Sequence, residues 1–424
     1  MQRLTITEWR RFRGWVGGCR SLGDVLSRQF WPLNGEALCA EARQRTGLTD
    51  FGVPSIETAL SILVNSLELE ADLHPLGRFL MWVHLRGLLE TRLRLTQAWR
   101  EHMEAMDTSL IQRPVFITGM PRSGSTFLHE LMAEDPENRA PRVWEVMFPI
   151  PTRKDVWSSV DPRIRKAEAC LWWFRRLAPL ADAVYPMRAS TPHECVGIHS
   201  YTMLSQEFVI TCRIPAYETF LRGGNLGPAY AWQKRFLQYL QLSGPHKNWI
   251  LKSPEHVYGL DHLLSVFPDA VIIQTHRNPL EVLRSSLQLN EVLEGVFAYP
   301  SDRAQTRIRE ARSLIESMDS IRSFRKAHPE FAGRFIDVDY DELIADPLEV
   351  VRRIYQRLNR HLVVPASERL QRLAARRSRY KGRHASPTLA DLGIDEVFES
   401  QRLAAWRSQC NLSDTDFSSF PQQG

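Results

Sequence analysis

Four short groups of residues carry side chains and spacing suited to chemistry on a phosphorylated ligand. The first is the run GMPRSGST, residues 119–126. Two glycines let a backbone turn tightly enough to aim successive N–H groups at one anion, and a helix opening at Thr126 would add positive potential. Arg122 lies inside the run, where a guanidinium donates two hydrogen bonds to a phosphate. Ser123, Gly124, Ser125 and Thr126 supply further amides and hydroxyls. The run departs from the nucleotide triphosphatase loop, since position 125 is Ser where that loop has Lys. A kinase or triphosphatase would need that Lys, and a Gly-Ser helix cap with no ligand is the plain alternative.

The second group is THRNPLEVLRSS, residues 275–286. Asn278 and Pro279 read as the N-cap and first residue of a helix. Arg277 then projects from the end of a strand, the edge where α/β proteins bind ligands. Ser285 falls about two turns into the helix, with Ser286 as its neighbour and competitor. The third group is WILKSPEH, residues 249–256, which sets Lys252 at a strand end and His256 four residues later. The fourth is a scatter of acid/base candidates: Glu145, the His193–Glu194 pair, and His256. A positioned carboxylate or imidazole is what proton removal from a hydroxyl requires. The basic stretch at residues 369–384 contains Arg379 and Lys381, which reads as a solvated helix face or a further anion contact.

Elements must exist to hold these groups. Val115–Ile117, Trp249–Leu251, Ala270–Ile273 and Phe335–Val338 are short apolar, β-rich runs. Helical patterns over Thr126–Ala133, Leu280–Leu293, Ala304–Ala327 and Leu348–Leu358 separate them. That alternation predicts an α/β domain around a mainly parallel central sheet flanked by helices, over 111–424. Residues 1–110 read as a helical N-terminal extension, with Leu76, Phe79, Leu80 and Val83 on one buried face. Residues 151–245 read as a mostly helical insertion over the sheet. Its aromatic residues, Trp172, Trp173, Phe174, Tyr201, Phe208 and Trp232 among them, either pack a core or line an acceptor pocket.

The chain has 424 residues and a net charge of +5 from 54 basic and 49 acidic side chains. That excess is too small for a nucleic-acid binder and fits a multiply phosphorylated ligand. The six cysteines form no CxxC pair and no zinc-spaced cluster, so free thiols, a cytoplasmic setting and no metal are expected. No apolar run reaches the length of a membrane span, while peripheral membrane contact stays open. The sequence does not reveal oligomeric state.

FITGMPRSGST resembles the 5′-phosphosulfate loop of the sulfotransferase superfamily, in the arginine form of tyrosylprotein and many bacterial sulfotransferases. Arg277 followed by Ser285 is similar to that family's 3′-phosphate signature. The resemblance spans about residues 112–385. It implies the P-loop-type sulfotransferase fold and transfer of a sulfuryl group from 3′-phosphoadenosine 5′-phosphosulfate (PAPS) to a hydroxyl of a small-molecule, lipid or glycan acceptor. It gives Lys252 to the transferring group and Arg379 or Lys381 to the 3′-phosphate. Pro254 stands where the cytosolic enzymes have their catalytic His, so Glu145, a residue of the His193–Glu194 pair and His256 compete as base. A nucleotide-binding protein without catalysis is the remaining alternative.

Overall fold

The structure, a computed structural model, describes residues 20–151, 161–178, 182, 186–244, 247–300 and 302–380, with side chains described only from 23 to 375. Five parallel strands run in the order β2-β3-β1-β4-β5, with β1 Val115–Gly119, β2 Asn138–Arg139, β3 Asn248–Lys252, β4 Val271–His276 and β5 Phe335–Asp339. The four strands expected from the apolar runs all appear. β2 has two residues and no periodicity by which to find it.

The chain leaves β1, builds β2 and β3 on one side, then crosses to β4 and β5 on the other. The crevice beyond the carboxyl ends of β1 and β4 is therefore the switch point of the sheet. There Gly119 is in register with Thr275, and Ile117 with Lys252.

Alternate residues of the buried strands face two separate cores, as period two requires. Val115, Ile117, Ile250 and Ile273 pack with Leu128 and Leu131 of helix Ser125–Ala133 and with Val351 and Ile354. Phe116, Leu251 and Ile272 face the opposite layer, a cluster reaching back to Leu38, Leu63 and Leu89. The N-terminal helices thus share a core with the sheet. Helix Pro75–Glu101 is the main strut. Its Arg92 is fully buried and donates to the carbonyls of Phe51 (2.7 Å), Tyr201 (2.8 Å) and Pro54 (2.5 Å), with the guanidinium 4.0 Å over the Trp232 ring. Gly77 at its start lies so close to Phe297 that a Cβ would meet the carbonyl oxygen at 1.7 Å.

The described residues of 151–245 are mostly helical, with Pro162–Leu177, Pro215–Gly223 and Gly227–Gln241 the longest elements. The aromatic residues there divide. Tyr201, Phe208, Tyr217, Tyr230 and Trp232 are core residues, whereas Trp172 and Trp173 face outward, 44% and 62% exposed.

Candidate active site

The loop after β1 is forced by its glycines. Gly119 (φ +136°) has no room for a side chain, because a Cβ would sit 2.4 Å from the Thr275 carbonyl oxygen. Gly124 (φ +90°) caps helix Ser125–Ala133 in the left-handed region, where L side chains are strained. Ser123 pins the turn from beneath, its hydroxyl donating to the Met120 carbonyl (2.6 Å) and meeting the Thr275 hydroxyl at 2.6 Å. Thr275 in turn donates to the Thr118 carbonyl at 3.1 Å.

The second group closes on this loop. Arg277 leaves the end of β4 and donates through Nη1 to the Arg122 carbonyl at 2.9 Å. Its other donors hold Glu281 one helical turn on, Nε at 3.0 Å and Nη2 at 2.6 Å. The helix that follows, Pro279–Phe297, is capped by Asn278 as expected, its side chain accepting from the Leu280 amide. Ser285 on that helix accepts a 2.9 Å hydrogen bond from Arg122 Nε. Ser286 is buried, and its hydroxyl makes no hydrogen bond to Arg122.

Tyr340, at the start of the helix after β5, lies under both groups. Its ring is 4.0 Å from the Arg277 guanidinium carbon, and it fills the space where a Gly124 Cβ would come within 2.9 Å of Cδ2. The four groups read from the sequence do not include this residue. Its place directly after a strand's carboxyl end was the signal that it belongs to the site.

Lys252 stands on the other flank. It is 2% exposed and donates to the Thr126 hydroxyl (3.0 Å) and to Glu194 (2.5 Å). Glu194 reaches it because residues 188–195 run along the crevice: Val143 and Trp144 donate to the Thr191 and Ala189 carbonyls, His193 to Pro141, and Cys195 to the Lys252 carbonyl. The Glu194 side chain keeps 12% of its surface exposed. Behind Lys252, burial and the nearby lysine charge push His129 down to about 3, so it is a neutral core histidine bonded to the Ile250 carbonyl.

The other two acid/base candidates sit differently. Glu145 is a helix cap. One carboxylate oxygen accepts from the Arg142 amide (2.8 Å) and the other from Arg139 (3.0 Å), within a buried capping box on Val143–Met147. His256 is fully buried, edge-on to Phe116 and bonded through Nδ1 to the Tyr230 hydroxyl (2.9 Å). Burial, then the neighbouring His199 and Lys252, hold it well below the ordinary histidine range. Neither side chain joins the Lys252–Thr126 cluster. Arg379 and Lys381 lie outside the described side chains. Among the described residues, no group of three His, Cys, Asp or Glu is placed to hold a metal ion.

A glycine-bent loop between the first parallel strand and its helix, with cations converging from the two neighbouring strands, marks an α/β protein of the phosphate-loop type. The chain belongs to the sulfotransferase family, whose model matches residues 114–362. A stretch of 269 residues is 26% identical to omega-hydroxy-beta-dihydromenaquinone-9 sulfotransferase Stf3 of Mycobacterium bovis. It covers 59% of this chain and 64% of that protein, less than two thirds of the relative's length. The fold superposes on sulfotransferase STF1 from Mycobacterium tuberculosis H37Rv with a TM-score of 0.76 at 28% identity, over 88% of this chain and 98% of the other. Sulfotransferase STF9 from Mycobacterium avium matches at 0.74 and 24% identity, over 89% and 96%, a likeness of fold.

Proposed function

We propose that this protein transfers a sulfuryl group from PAPS to a hydroxyl of an apolar or amphipathic acceptor. The observation that carries the reading is the meeting of Arg122, Ser285 and Arg277 around one crevice, with Lys252 on Thr126 at its other end. A triphosphate alone has no use for two separated phosphate sites. A 3′,5′-bisphosphorylated nucleotide fills both.

The residues fit such a donor. Amides of residues 122–126 and the start of helix Ser125–Ala133 receive the 5′-phosphosulfate end. Arg277 and Ser285 receive the 3′-phosphate, and Arg122 stands between the two. Bound there, the donor supplies the sulfuryl group and leaves as the bisphosphate. Lys252, buried and aimed at Thr126, holds positive charge where the bridging oxygen would gain negative charge. Glu194 is the proposed base: its carboxylate is partly open, lies at the crevice and contacts Lys252 directly. A carboxylate so paired would take the acceptor proton as the oxygen–sulfur bond forms, and Lys252 would be released toward the leaving group. Glu145 is committed to its helix cap and to Arg139, and His256 is enclosed in the core, whereas Glu194 contacts Lys252 directly, which favours Glu194 over either.

The apolar acceptor is supported by the relative named for a dihydromenaquinone derivative. The described cysteines Cys39, Cys170, Cys195 and Cys212 are unpaired, which supports a reducing, cytoplasmic setting. The test is a thermal shift with 3′-phosphoadenosine 5′-phosphate beside ATP and AMP. At a hundredfold excess over its dissociation constant the bisphosphate should add about 2.7 kcal/mol of stability. A shift with the bisphosphate alone, lost in Arg277→Ala, supports the reading. A larger shift with ATP overturns it.

A further inference from the structure

Helix Pro162–Leu177 buries one face and presents another. Arg163, Ala167 and Leu171 are buried, and Phe174 packs beside Leu293 and Phe297 of the helix that carries Ser285. The outward face carries Arg165, Lys166, Trp172, Trp173, Arg176 and Leu177, all exposed. Two adjacent indoles in water are costly, and a soluble helix ordinarily spends such positions on mixed charges.

The charges on this face are not mixed. The helix contains one acid, Glu168, and it is turned away: one oxygen accepts from the Ala189 amide (2.6 Å), the other from Arg175 (3.3 Å). The N-cap, Asp161, is held by Arg163 through both oxygens. Instead of carboxylates, the cations lean on rings: the Arg176 guanidinium lies 4.6 Å over Trp172, and the Lys166 ammonium 4.0 Å over Phe148. Exposed tryptophans with a leucine, interleaved with cations and free of acids, are the pattern of a helix lying in the headgroup region of a bilayer. Its charge is complementary to anionic lipid and to no neutral surface.

We propose that the Trp172–Trp173 face docks this protein on an anionic membrane surface. The indoles and Leu177 enter the headgroup boundary, and Arg165, Lys166 and Arg176 meet lipid phosphates. The argument is independent of the donor and acceptor assignments, since it rests on this helix alone. If the acceptor is a lipid, docking holds the Ser285 helix and its crevice next to the membrane.

The test is co-sedimentation of the full chain with phosphatidylglycerol/phosphatidylcholine vesicles and with phosphatidylcholine vesicles, at low and high salt. Binding is expected to the anionic vesicles and to weaken with salt. Each cation near such a surface contributes roughly fivefold, so Arg165→Glu with Lys166→Glu and Arg176→Glu should lower partitioning by at least about a hundredfold. Trp172→Ala with Trp173→Ala should lower it about tenfold or more, and Arg352→Glu, on a different helix, should leave it unchanged. Circular dichroism melts certify each variant as folded, and the bisphosphate thermal shift, run in parallel, reports on the nucleotide site separately. No binding to anionic vesicles, or binding undiminished in both multiple variants, overturns the proposal. A wild-type dimer that the tryptophan variant converts to monomer also overturns it, by giving the face to a second copy of the chain.

Discussion

Arg122 and Ser285, 163 residues apart in the chain, are joined by a 2.9 Å hydrogen bond from guanidinium to hydroxyl. The bond ties the loop after β1 to the helix after β4. Arg277 doubles the tie by donating to the Arg122 carbonyl. Two groups that the proposed function assigns to separate phosphates thus form one unit.

Loss of either cation should therefore be felt across the unit. Arg122→Ala and Arg277→Ala are each expected to weaken bisphosphate binding by about 1.5–3 kcal/mol, and Ser285→Ala by about 1 kcal/mol. Isothermal titration reads these directly. Wild-type affinity in Arg277→Ala would remove it from the 3′-phosphate site.

Glu194 and Glu145 should separate in kind. Glu194→Gln is expected to cut turnover with labelled PAPS by roughly a hundredfold or more while bisphosphate affinity holds. Glu145→Gln should act on stability, costing about 1–2 kcal/mol because the amide can still cap the Arg142 N–H but leaves the Arg139 guanidinium without its carboxylate oxygen. If Glu145→Gln instead stops turnover in a protein of undiminished melting temperature, the roles are reversed.

Gly124→Ala places a methyl group at φ +90° and 2.9 Å from the Tyr340 ring. It should cost about 1–3 kcal/mol in strain and clash, and it should displace the ring that lies against Arg277. The expected result is a lower melting temperature together with weaker bisphosphate binding. Tyr340→Leu, which relieves the clash, should restore part of the stability in the double variant but not the affinity.

Much of this site was readable from residue order alone, for a physical reason. A glycine loop needs a strand before it and a helix after it, and Arg277 with Asn278 and Pro279 marks a strand end and a helix start. Those local rules fixed the sheet's central strands and placed Arg122, Lys252 and Arg277 at one edge. What escaped was set by distant contacts. Nothing near Glu145 in sequence announces that Arg139 and the Arg142 amide will occupy it. His256 looked available because burial beneath Phe116 depends on a strand 140 residues earlier. β2, at two residues, carries no pattern, and Tyr340 is drawn into the site by its packing on Gly124.

His84 and Glu207 form a 3.0 Å ion pair between helix Pro75–Glu101 and the insertion. Burial opposes the charge on both. The carboxylate outweighs it for His84, which is raised, and His84 with Ser200 outweighs it for Glu207, which is lowered. For the raised histidine, the stabilisation is complete below its unfolded value of about 6.5 and is lost as pH rises through its folded value. For the lowered carboxylate, it is present above about 4.3 and lost as pH falls. The melting-temperature difference between wild type and His84→Gln should therefore peak near pH 5.5–6 and shrink by pH 8.5. With the His84 side chain 38% exposed, the maximum is held to about 1 kcal/mol by solvent screening. A difference independent of pH would assign the effect to packing.

The three carbonyls that Arg92 holds come from two stretches of chain, Phe51 and Pro54 before it and Tyr201 far after it. A guanidinium buried in this way cannot be supplied by solvent, and its carbonyls cannot be left empty cheaply. The segment that matches the family, residues 114–362, therefore ends at a boundary of resemblance and not of folding. Excised at that boundary, it would open Trp232 and Tyr201 to water. Any exchange of the matched segment between relatives would have to carry the N-terminal helices with it, or supply another partner for these carbonyls.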